Sequence, residues 1–516
     1  MVQQKYVVQW LPLPETVRRL TDINLNMRRK HAVILLATFC LISCLTVFLI
    51  STWVYEDPQG KTRGRHPKYA TSQRVLKIEN RDSRERDSIH TPNRHPSFGQ
   101  QFLEEYCNVP NASVSGEEGE APPGYQLESV QLLIRHGDRT TQYAIPGLGL
   151  EPWNCKLDPD RSPSHSKLPA FIKSVSALNP ERLDKPLHMY SAYPQAKVCK
   201  YGHLTQQGVV QHLYNGEHLH NVYIKKWKLL LPTWNRSDVL LMTTQMSRTY
   251  HSAMAFLYTF LPKFDAANWF LHAVNSLVFC HGGKDCKCSS KVMYFRKEAS
   301  RYAHRTESRE GVARVLKEIA HTFGMTRSQL GSLTHVLDLF NTHLCHKIDL
   351  PCGKKTCLKM EQFETLIKHF IENNRMRAEE GVFASYAALE MNPMLSDIVS
   401  SMERFAAGED GVPKFVLYSG HDVTVSPLLY ALGIPETKWC PYATRVVFEL
   451  WRASAGSARY VRVLYNGVNV TNQLKFCAGS TEDVMCPLES FASFVKKGVF
   501  QQFGADSYQD ACMKMP

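Results

Sequence analysis

The sequence contains no two cysteines at Cys-x-x-Cys spacing, although it has 15 cysteines among 516 residues. A zinc ribbon or finger requires that paired spacing. The two cysteine clusters of this sequence therefore predict disulfides and no metal site. We expect no cofactor of any kind. The two clusters consist of Cys280, Cys286 and Cys288, and of Cys345, His346, Cys352 and Cys357.

A concentrated basic domain is also missing. Residues 1–31 and residues 56–96 each carry a net charge of +4, so +5 of the total of +13 remains for residues 97–516. Without aromatic platforms or a groove-reading element, this mild excess argues against nucleic-acid binding. It does suit the attraction of anionic phosphate esters.

Charged residues are absent from 32–55, a stretch long enough to span a bilayer. The stretch begins too late and is too long for a typical cleaved signal peptide, so we predict a transmembrane signal anchor. Five Lys or Arg residues lie within about twenty residues on each side, so the positive-inside rule gives a tie. The nearest charges, basic at 28–30 and acidic at 56–57, favour a cytosolic N terminus.

Glycosylation signals and cysteines support the same orientation. The sequons at Asn111, Asn235 and Asn469 all follow the uncharged stretch, as do thirteen of the cysteines. Such cysteine density is typical of an oxidising lumen, and because thirteen is odd, one thiol stays unpaired or joins two chains. We therefore predict a type II single-pass membrane protein. Its parts would be a cytosolic tail at 1–31, the anchor at 32–55, a disordered stem at 56–100 and a lumenal domain at 101–516.

The pentapeptide Arg135-His136-Gly137-Asp138-Arg139 follows an apolar run at 130–134 that predicts a strand. Its histidine offers a ring nitrogen as a nucleophile, and its arginines offer guanidinium groups for phosphate oxygens. The glycine is expected to allow a sharp turn and to leave room for a phosphoryl group. The aspartate is expected to be solvated or to cap a helix. The alternative interpretation of the whole pentapeptide is a basic surface loop.

Two further apolar runs end in residues of the same chemistry. The run at 415–418 is followed by His421 and Asp422, and the run at 239–242 is followed by Arg248. Because ligands bind at the carboxyl ends of parallel strands, these residues are expected to meet at one edge of a sheet. A structural ion pair remains the alternative for Arg248, and a hydrogen-bonded core position remains the alternative for His421.

With these elements in this order, the chain resembles the histidine acid phosphatase branch of the histidine phosphatase superfamily, from about residue 127 to residue 512. Within the branch it is most similar to Golgi members that act on the proteoglycan linkage region. This similarity is carried by residues 134–139, 204–213, 421–424, 465–471 and 486–489. Thr141 departs from the proline that many acid phosphatases have at this place, which is expected to change the loop entering the pocket, and so substrate choice, more than the chemistry.

The resemblance implies an α/β fold, with a mixed sheet flanked by helices and a helical cap inserted at roughly 265–410. It implies that His136 forms a phosphohistidine, with its other ring nitrogen donating to a neighbour such as a backbone carbonyl. Asp422 would protonate the leaving group and then help to activate water. A disulfide between Cys477 and Cys486 is also implied. The phosphate-binding residues would be Arg135, Arg139, Arg248 and His421.

Hydrophobic periodicity supports this arrangement. Apolar stripes at helical spacing occur at 312–323, 363–371 and 395–405, and we interpret them as packing faces of the cap. Such a cap would wall the pocket and help to select the substrate. Strands return at 445–451 and 460–465, which predict an antiparallel pair at one edge of the sheet.

We therefore expect a metal-independent phosphomonoesterase of the Golgi membrane that removes the 2-phosphate from xylose in the linkage region of proteoglycans. An association with a linkage-region glycosyltransferase is a further expectation. One alternative is a broad-specificity acid phosphatase or inositol polyphosphate phosphatase of the same fold, which only substrate tests separate. Another is an inactive lumenal binding or scaffold protein. A phosphoglycerate-mutase-like transferase is disfavoured because the secretory pathway lacks its substrates.

Overall fold

The computed structural model describes residues 96–110, 114–143, 145, 148, 153–177, 199–264, 272–273, 277–279, 287–477 and 484–514. The predicted tail, the predicted anchor at 32–55 and nearly all of the predicted stem lie outside these residues. Within them, no helix has both the length and the apolar composition needed to cross a membrane.

One mixed sheet of eight strands runs through the described part of the chain. The strands are β1 (Tyr125–Arg135), β2 (Val239–Thr243), β3 (His272–Ala273), β4 (Phe415–Gly420), β5 (Arg445–Ala453), β6 (Arg459–Tyr465), β7 (Val468–Asn469) and β8 (Cys486–Pro487). Their order is β3-β2-β4-β1-β5-β6-β7, and β8 pairs with β6. The strands β1 to β4 are parallel, whereas β5 is antiparallel to β1 and β6 to β5. The predicted antiparallel pair is confirmed.

Twelve α-helices accompany the sheet within the described residues. They are α1 (Phe98–Cys107), α2 (Leu168–Ser176), α3 (Gln206–Leu219), α4 (Ser247–Phe260), α5 (Ser289–Ser308), α6 (Glu310–Thr322), α7 (Leu333–Cys345), α8 (Met360–Glu380), α9 (Val382–Ala406), α10 (Asp422–Ala431), α11 (Leu488–Lys496) and α12 (Tyr508–Met513).

The two faces of the sheet bury two separate hydrophobic clusters. Side chains alternate between the faces of a strand, so Leu133 of β1 joins one cluster and its neighbour Leu132 joins the other. The first cluster contains buried residues of α9, α10 and α11, and the second contains buried residues of α4. The sheet is therefore covered by helices on both faces, as the predicted fold class requires.

The helical cap is shorter than the sequence predicted. Helices α6, α7 and α8 pack with α1 around a hydrophobic cluster of their own, which includes the stripes at 312–323 and 363–371. The third stripe belongs to α9, where Leu395 and Ile398 share a cluster with Val416 and Phe448 of the sheet. Helix α9 is thus part of the layer on the sheet. The sequence pattern does not reveal this, because a helical period alone does not show what the apolar face packs against.

Five disulfides cross-link the described residues, and one of them joins Cys477 to Cys486. Cys440 is buried and has a free thiol, whereas Cys280 and Cys286 lie outside the described residues. Cysteines of the predicted clusters that the structure describes are bonded, two of them to distant partners. The other four pairs are Cys107–Cys345, Cys155–Cys199, Cys288–Cys512 and Cys352–Cys357.

Candidate active site

Adjacent strand ends place the predicted site residues at one edge of the sheet. Strand β1 ends at Arg135, opposite Gly420 at the end of β4. The backbone N–H of His136 donates to the Gly420 carbonyl at 3.0 Å. On the other side of β4, Thr243 at the end of β2 pairs with Ser419. The segments that follow β1, β2 and β4 therefore start side by side, as predicted.

His136 is buried with its ring orientation fixed. Its Nδ1 lies 2.8 Å from the carbonyl oxygen of Gly137. Because a carbonyl oxygen only accepts, Nδ1 carries the proton and Nε2 keeps its lone pair. The predicted hydrogen bond from one ring nitrogen to a backbone carbonyl is confirmed. Burial, reinforced by three neighbouring arginines, holds the pKa of His136 well below its usual range. The ring is therefore neutral and available as a nucleophile.

Arg135 is completely buried and its guanidinium group is held from several sides. It donates to the carbonyl oxygen of Cys440 and, at 3.3 Å, to the hydroxyl of Tyr106. The Tyr442 ring centroid lies 4.5 Å from the guanidinium carbon, a cation–π distance. Asp422 Oδ2 lies 3.7 Å from Nη2. Burial opposes the charge, but the surrounding phenol and carboxylate groups raise the pKa of Arg135 above its usual value.

Arg139 is held by a carboxylate that the cap supplies. Its Nη2 lies 2.8 Å from Oδ1 of Asp338, a buried residue of α7. The other carboxylate oxygen of Asp338 accepts from the backbone N–H of Gln142 at 2.7 Å. Burial alone would lower the pKa of Arg139, but Asp338 raises it well above the usual value. The cap therefore fixes both an arginine of the pentapeptide and the loop that follows it.

Arg248 differs from the other two arginines because no carboxylate of the described residues pairs with it. It lies in the first turn of α4 and is 6% exposed. Its Nε has no hydrogen-bond partner, and no ion pair of Arg248 occurs within the described part of the chain. Burial, and then the charge of Arg139, lower the pKa of Arg248 to about 10, so it remains charged at neutral pH. A buried cation without a counterion among the described residues is suited to an anionic ligand. The structure therefore does not show the alternative, a structural ion pair of Arg248.

His421 and Asp422 lie at the start of α10, immediately after β4. Nε2 of His421 is 2.8 Å from the Thr244 hydroxyl, and its ring centroid is 5.5 Å from that of His136. Oδ2 of Asp422 accepts a hydrogen bond from the Trp439 indole at 2.6 Å. Burial would raise the pKa of Asp422, but the nearby guanidinium groups and the indole N–H hold it below its usual range.

Two residues of the pentapeptide have other roles than predicted. A Cβ atom on Gly137 would lie 2.4 Å from the backbone oxygen of Gly208, so this glycine is required for close contact with α3 and not for a positive φ angle. Asp138 is buried and its side chain contacts Thr205 and His346, so its predicted solvated or capping role is wrong. Its Oδ2 accepts from Thr205 Oγ1 at 2.5 Å and contacts His346 Nε2 at 2.6 Å.

A pocket of about 550 Å³ lies in front of these groups. Its lining includes Arg139, Arg248, His421 and Asp422, together with side chains from α5, α7, α8 and α9. The predicted role of the cap in walling the pocket is confirmed, with α9 as an additional contributor. Residues that contact the pocket groups but carried no sequence motif are Asp338, Trp439 and Tyr442. Only Asp338 gave a signal, as an acidic residue within an otherwise apolar stretch of α7.

The three sequons differ in their surroundings. Asn235 is exposed in the loop before β2. Asn469 is half-buried, and its side-chain nitrogen donates to the Val484 carbonyl at 3.1 Å. Asn111 lies outside the described residues. Of the two sequon asparagines that the structure describes, Asn235 is the one whose surroundings are open to a glycan.

Comparison with known proteins agrees with the geometry. Residues 126–466 match the model of the histidine phosphatase superfamily (branch 2). The chain is 38% identical over 414 residues to 2-phosphoxylose phosphatase 1 of Homo sapiens, covering 79% of this chain and 85% of that protein. It is 35% identical over 438 residues to the protein of the same name from Danio rerio, covering 79% and 86%. Among solved structures, Hafnia alvei phytase in complex with myo-inositol hexakis sulphate has a TM-score of 0.49 at 17% identity, covering 77% of this chain and 100% of that one. The chain therefore belongs to branch 2 of the histidine phosphatase superfamily.

Proposed function

We propose that this protein is a metal-independent phosphomonoesterase that removes the 2-phosphate from xylose in the glycosaminoglycan–protein linkage region of proteoglycans. The observation that carries the proposal is the neutral His136, whose Nδ1 is committed to the Gly137 carbonyl while Nε2 keeps its lone pair among arginines. Relatives that are 35–38% identical over most of the chain bear the name 2-phosphoxylose phosphatase.

In the first step, Nε2 of His136 attacks phosphorus as the ester oxygen departs on the opposite side. A P–N bond forms, the P–O bond breaks, and Asp422 transfers its proton to the leaving oxygen. Hydrogen-bond donors around the non-bridging oxygens stabilise the negative charge of the transition state. These groups are Arg135, Arg139, Arg248 and His421.

The protonation of Asp422 depends on the substrate. Without a ligand, the arginines lower its pKa, so the carboxylate is ionised. A bound phosphate adds negative charge beside Asp422 and occupies the same arginines, which raises the pKa of Asp422 and allows it to hold the proton that it donates. In the second step the ionised Asp422 takes a proton from water, which attacks phosphorus and releases His136.

The charges of the described pocket lining suit a substrate with one phosphate. Beyond the phosphate-binding groups, two cationic side chains line this part of the pocket, and both are paired. Arg377 lies 3.4 Å from Glu298, and Lys438 lies 2.6 Å from Glu105. A polyphosphate would need additional positive charge for its other phosphates. This observation favours a monophosphate over an inositol polyphosphate.

The mouth of the pocket is apolar, which suits a large organic body beside the phosphate. Phe295 is 48% exposed and Met246 is 42% exposed, and both line the pocket, as do the exposed Tyr143 and Val423. Exposed apolar groups around a pocket are typical of a ligand-binding surface. A sugar attached to a carrier presents C–H surface to such a rim, whereas a small phosphate ester leaves it uncovered.

We further propose that the catalytic domain lies in the Golgi lumen, behind a type II anchor at 32–55. The uncharged stretch, the exposed Asn235 sequon and the five disulfides of the described residues support this location. Because the enzyme would act on a transient phosphate of a growing glycan, an association with a linkage-region glycosyltransferase is part of the proposal.

Phosphate release from three substrates tests the function. The full-length protein would be assayed, with a chelator present, on a linkage oligosaccharide carrying 2-phosphoxylose, on p-nitrophenyl phosphate and on myo-inositol hexakisphosphate. We expect a strong preference for the phosphoxylose and no release by His136→Ala. Comparable rates on all three would instead indicate a broad acid phosphatase. No release from any would indicate a binding protein.

A pair of variants on one helix tests the apolar rim. Phe295→Ser is expected to raise the KM for the oligosaccharide several-fold and to leave p-nitrophenyl phosphate unchanged, because only the larger substrate reaches the rim. Met293→Ser is the matched control, since Met293 is 37% exposed on the same helix and does not line the pocket. Equal effects of the two variants would contradict the role of the rim.

A further inference from the structure

Trp439 contacts the general-acid candidate and is held rigidly. It lies in the segment between α10 and β5, and its Nε1–H donates to Oδ2 of Asp422 at 2.6 Å. Its ring stacks on Phe370 of α8, with centroids 5.1 Å apart, and contacts Tyr106 of α1 at 5.6 Å. Packing from two helices therefore fixes the direction of the indole N–H.

The two carboxylate oxygens of Asp422 have different surroundings. Oδ2 accepts from Trp439 and lies 3.7 Å from the Arg135 guanidinium group. Among the residues that the structure describes, Oδ1 accepts only the N–H of its chain neighbour Val423, at 3.1 Å. The indole N–H is only a donor and a second donor group, the Arg135 guanidinium, also faces Oδ2, so a proton on Oδ2 would weaken both interactions. The surroundings of the two oxygens therefore favour Oδ1 as the site of a proton on Asp422.

We propose that Trp439 is a positioning residue for ester hydrolysis, which holds Asp422 so that Oδ1 delivers the proton to the leaving oxygen. In this step the proton moves from Oδ1 to the oxygen as the P–O bond breaks, and the resulting carboxylate is stabilised by the indole N–H. The inference rests on the proposed phosphomonoesterase chemistry and is independent of which sugar carries the phosphate.

Other charged and titratable groups also surround Asp422, and they remain in place when Trp439 is changed. They are Arg135, Arg139, Arg248, His421, Tyr143 and the thiol of Cys440. Loss of the indole N–H removes a hydrogen bond that favours the ionised carboxylate. The pKa of Asp422 is therefore expected to rise in a variant without the N–H, and the basic limb of a pH profile that depends on protonated Asp422 moves to higher pH.

Trp439→Phe tests the proposal, because phenylalanine keeps an aromatic ring between Phe370 and Tyr106 and lacks the N–H. The full-length variant would be compared with the wild type on β-glycerophosphate, an alkyl ester, and on p-nitrophenyl phosphate. We expect kcat for the alkyl ester to fall about tenfold or more and kcat for the aryl ester to stay within about twofold, because an aryl leaving group needs little protonation. The basic limb of the alkyl profile should move to higher pH.

Trp227→Phe is the matched control. Trp227 is also half-buried, and its Nε1–H donates to the Gly119 carbonyl at 2.9 Å, away from the pocket. We expect it to affect both esters equally. Equal losses on the two esters in Trp439→Phe, no loss on either, or an unmoved basic limb would overturn the proposal. Wild-type activity on both esters without activity on 2-phosphoxylose would refute the substrate proposal alone.

Discussion

Asp338 controls how much uncompensated positive charge surrounds His136. Three arginines lie near the imidazole, and Arg139 is neutralised in its ion pair with Asp338, whereas Arg248 has no carboxylate within ion-pair distance in the described part of the chain. The site is thus cationic enough to attract a phosphate and still stable without one. The positive charge of Arg248 is the charge that a bound phosphate would compensate.

Asp338→Asn is expected to destabilise the protein by about 3 kcal/mol, because it leaves the Arg139 charge buried without its partner. Inorganic phosphate should restore part of the loss, since its oxygens would compensate the same guanidinium group. Urea unfolding with and without phosphate measures both effects. Asp349→Asn, which changes an exposed carboxylate, is the control and should stay within about 0.5 kcal/mol of the wild type. A wild-type free energy of unfolding for Asp338→Asn would contradict the role of the pair.

For single residues, the sequence predicts membership of the site where a residue's position follows from its neighbours along the chain. Arg135 ends β1, His136 follows it, and His421 and Asp422 follow β4, so the parallel sheet alone brings these residues together. Asp338 and Trp439 approach the site through long-range packing, which no local pattern reports. Even the buried position of Asp138 depends on His346, which is 208 residues away in sequence.

Helix α7 connects the cap to the pentapeptide at 135–139 at two points. Asp338, in the middle of the helix, binds Arg139, and His346, directly after its end, binds Asp138. The disulfide Cys107–Cys345 ties the same end of α7 to α1. The cap therefore positions two residues of the pentapeptide and is more than a lid over the pocket.

The His346–Asp138 pair predicts a pH dependence of stability. Burial alone would lower the pKa of His346, but Asp138 raises it above the value of about 6.5 in the unfolded chain. Such a pair stabilises the fold fully below that unfolded pKa, and the contribution is lost as pH rises through the folded pKa. The free energy of unfolding should therefore fall more between about pH 6 and about pH 8 in the wild type than in His346→Gln.

The control for this prediction is His304→Gln, which changes an exposed histidine of α5. It should retain the pH dependence of the wild type. Identical pH dependence in His346→Gln and the wild type would show that the ion pair does not contribute.

Element types were easier to predict from the sequence than their partners. The antiparallel pair β5–β6 and the apolar stripes of α6 and α8 follow from periods of two and 3.6 residues. Periodicity does not distinguish a face that packs on a sheet from one that packs on other helices. For this reason the sequence predicts α9 as part of the cap, whereas its apolar face packs on the sheet.

For the whole molecule, the proposed orientation in the membrane has a direct consequence at Asn235. This exposed asparagine would be glycosylated if the catalytic domain enters the secretory pathway. Asn235→Gln and Ser237→Ala should each remove the same glycan, which would be seen as an equal gain in electrophoretic mobility. Mobility unchanged by either variant and by glycosidase treatment would contradict a lumenal location.

The proposed mechanism requires that His136 becomes covalently phosphorylated during turnover, and trapping the phosphohistidine tests this requirement. In Asp422→Asn, an aryl phosphate should still transfer its phosphoryl group to His136, while attack by water is slowed because the base is missing. With radiolabelled p-nitrophenyl phosphate and a chelator present, we predict a base-stable, acid-labile label on the peptide that contains His136. The label should be absent from the double variant that also carries His136→Ala. Turnover by the wild type without any labelled histidine, or a label on another residue, would contradict the mechanism.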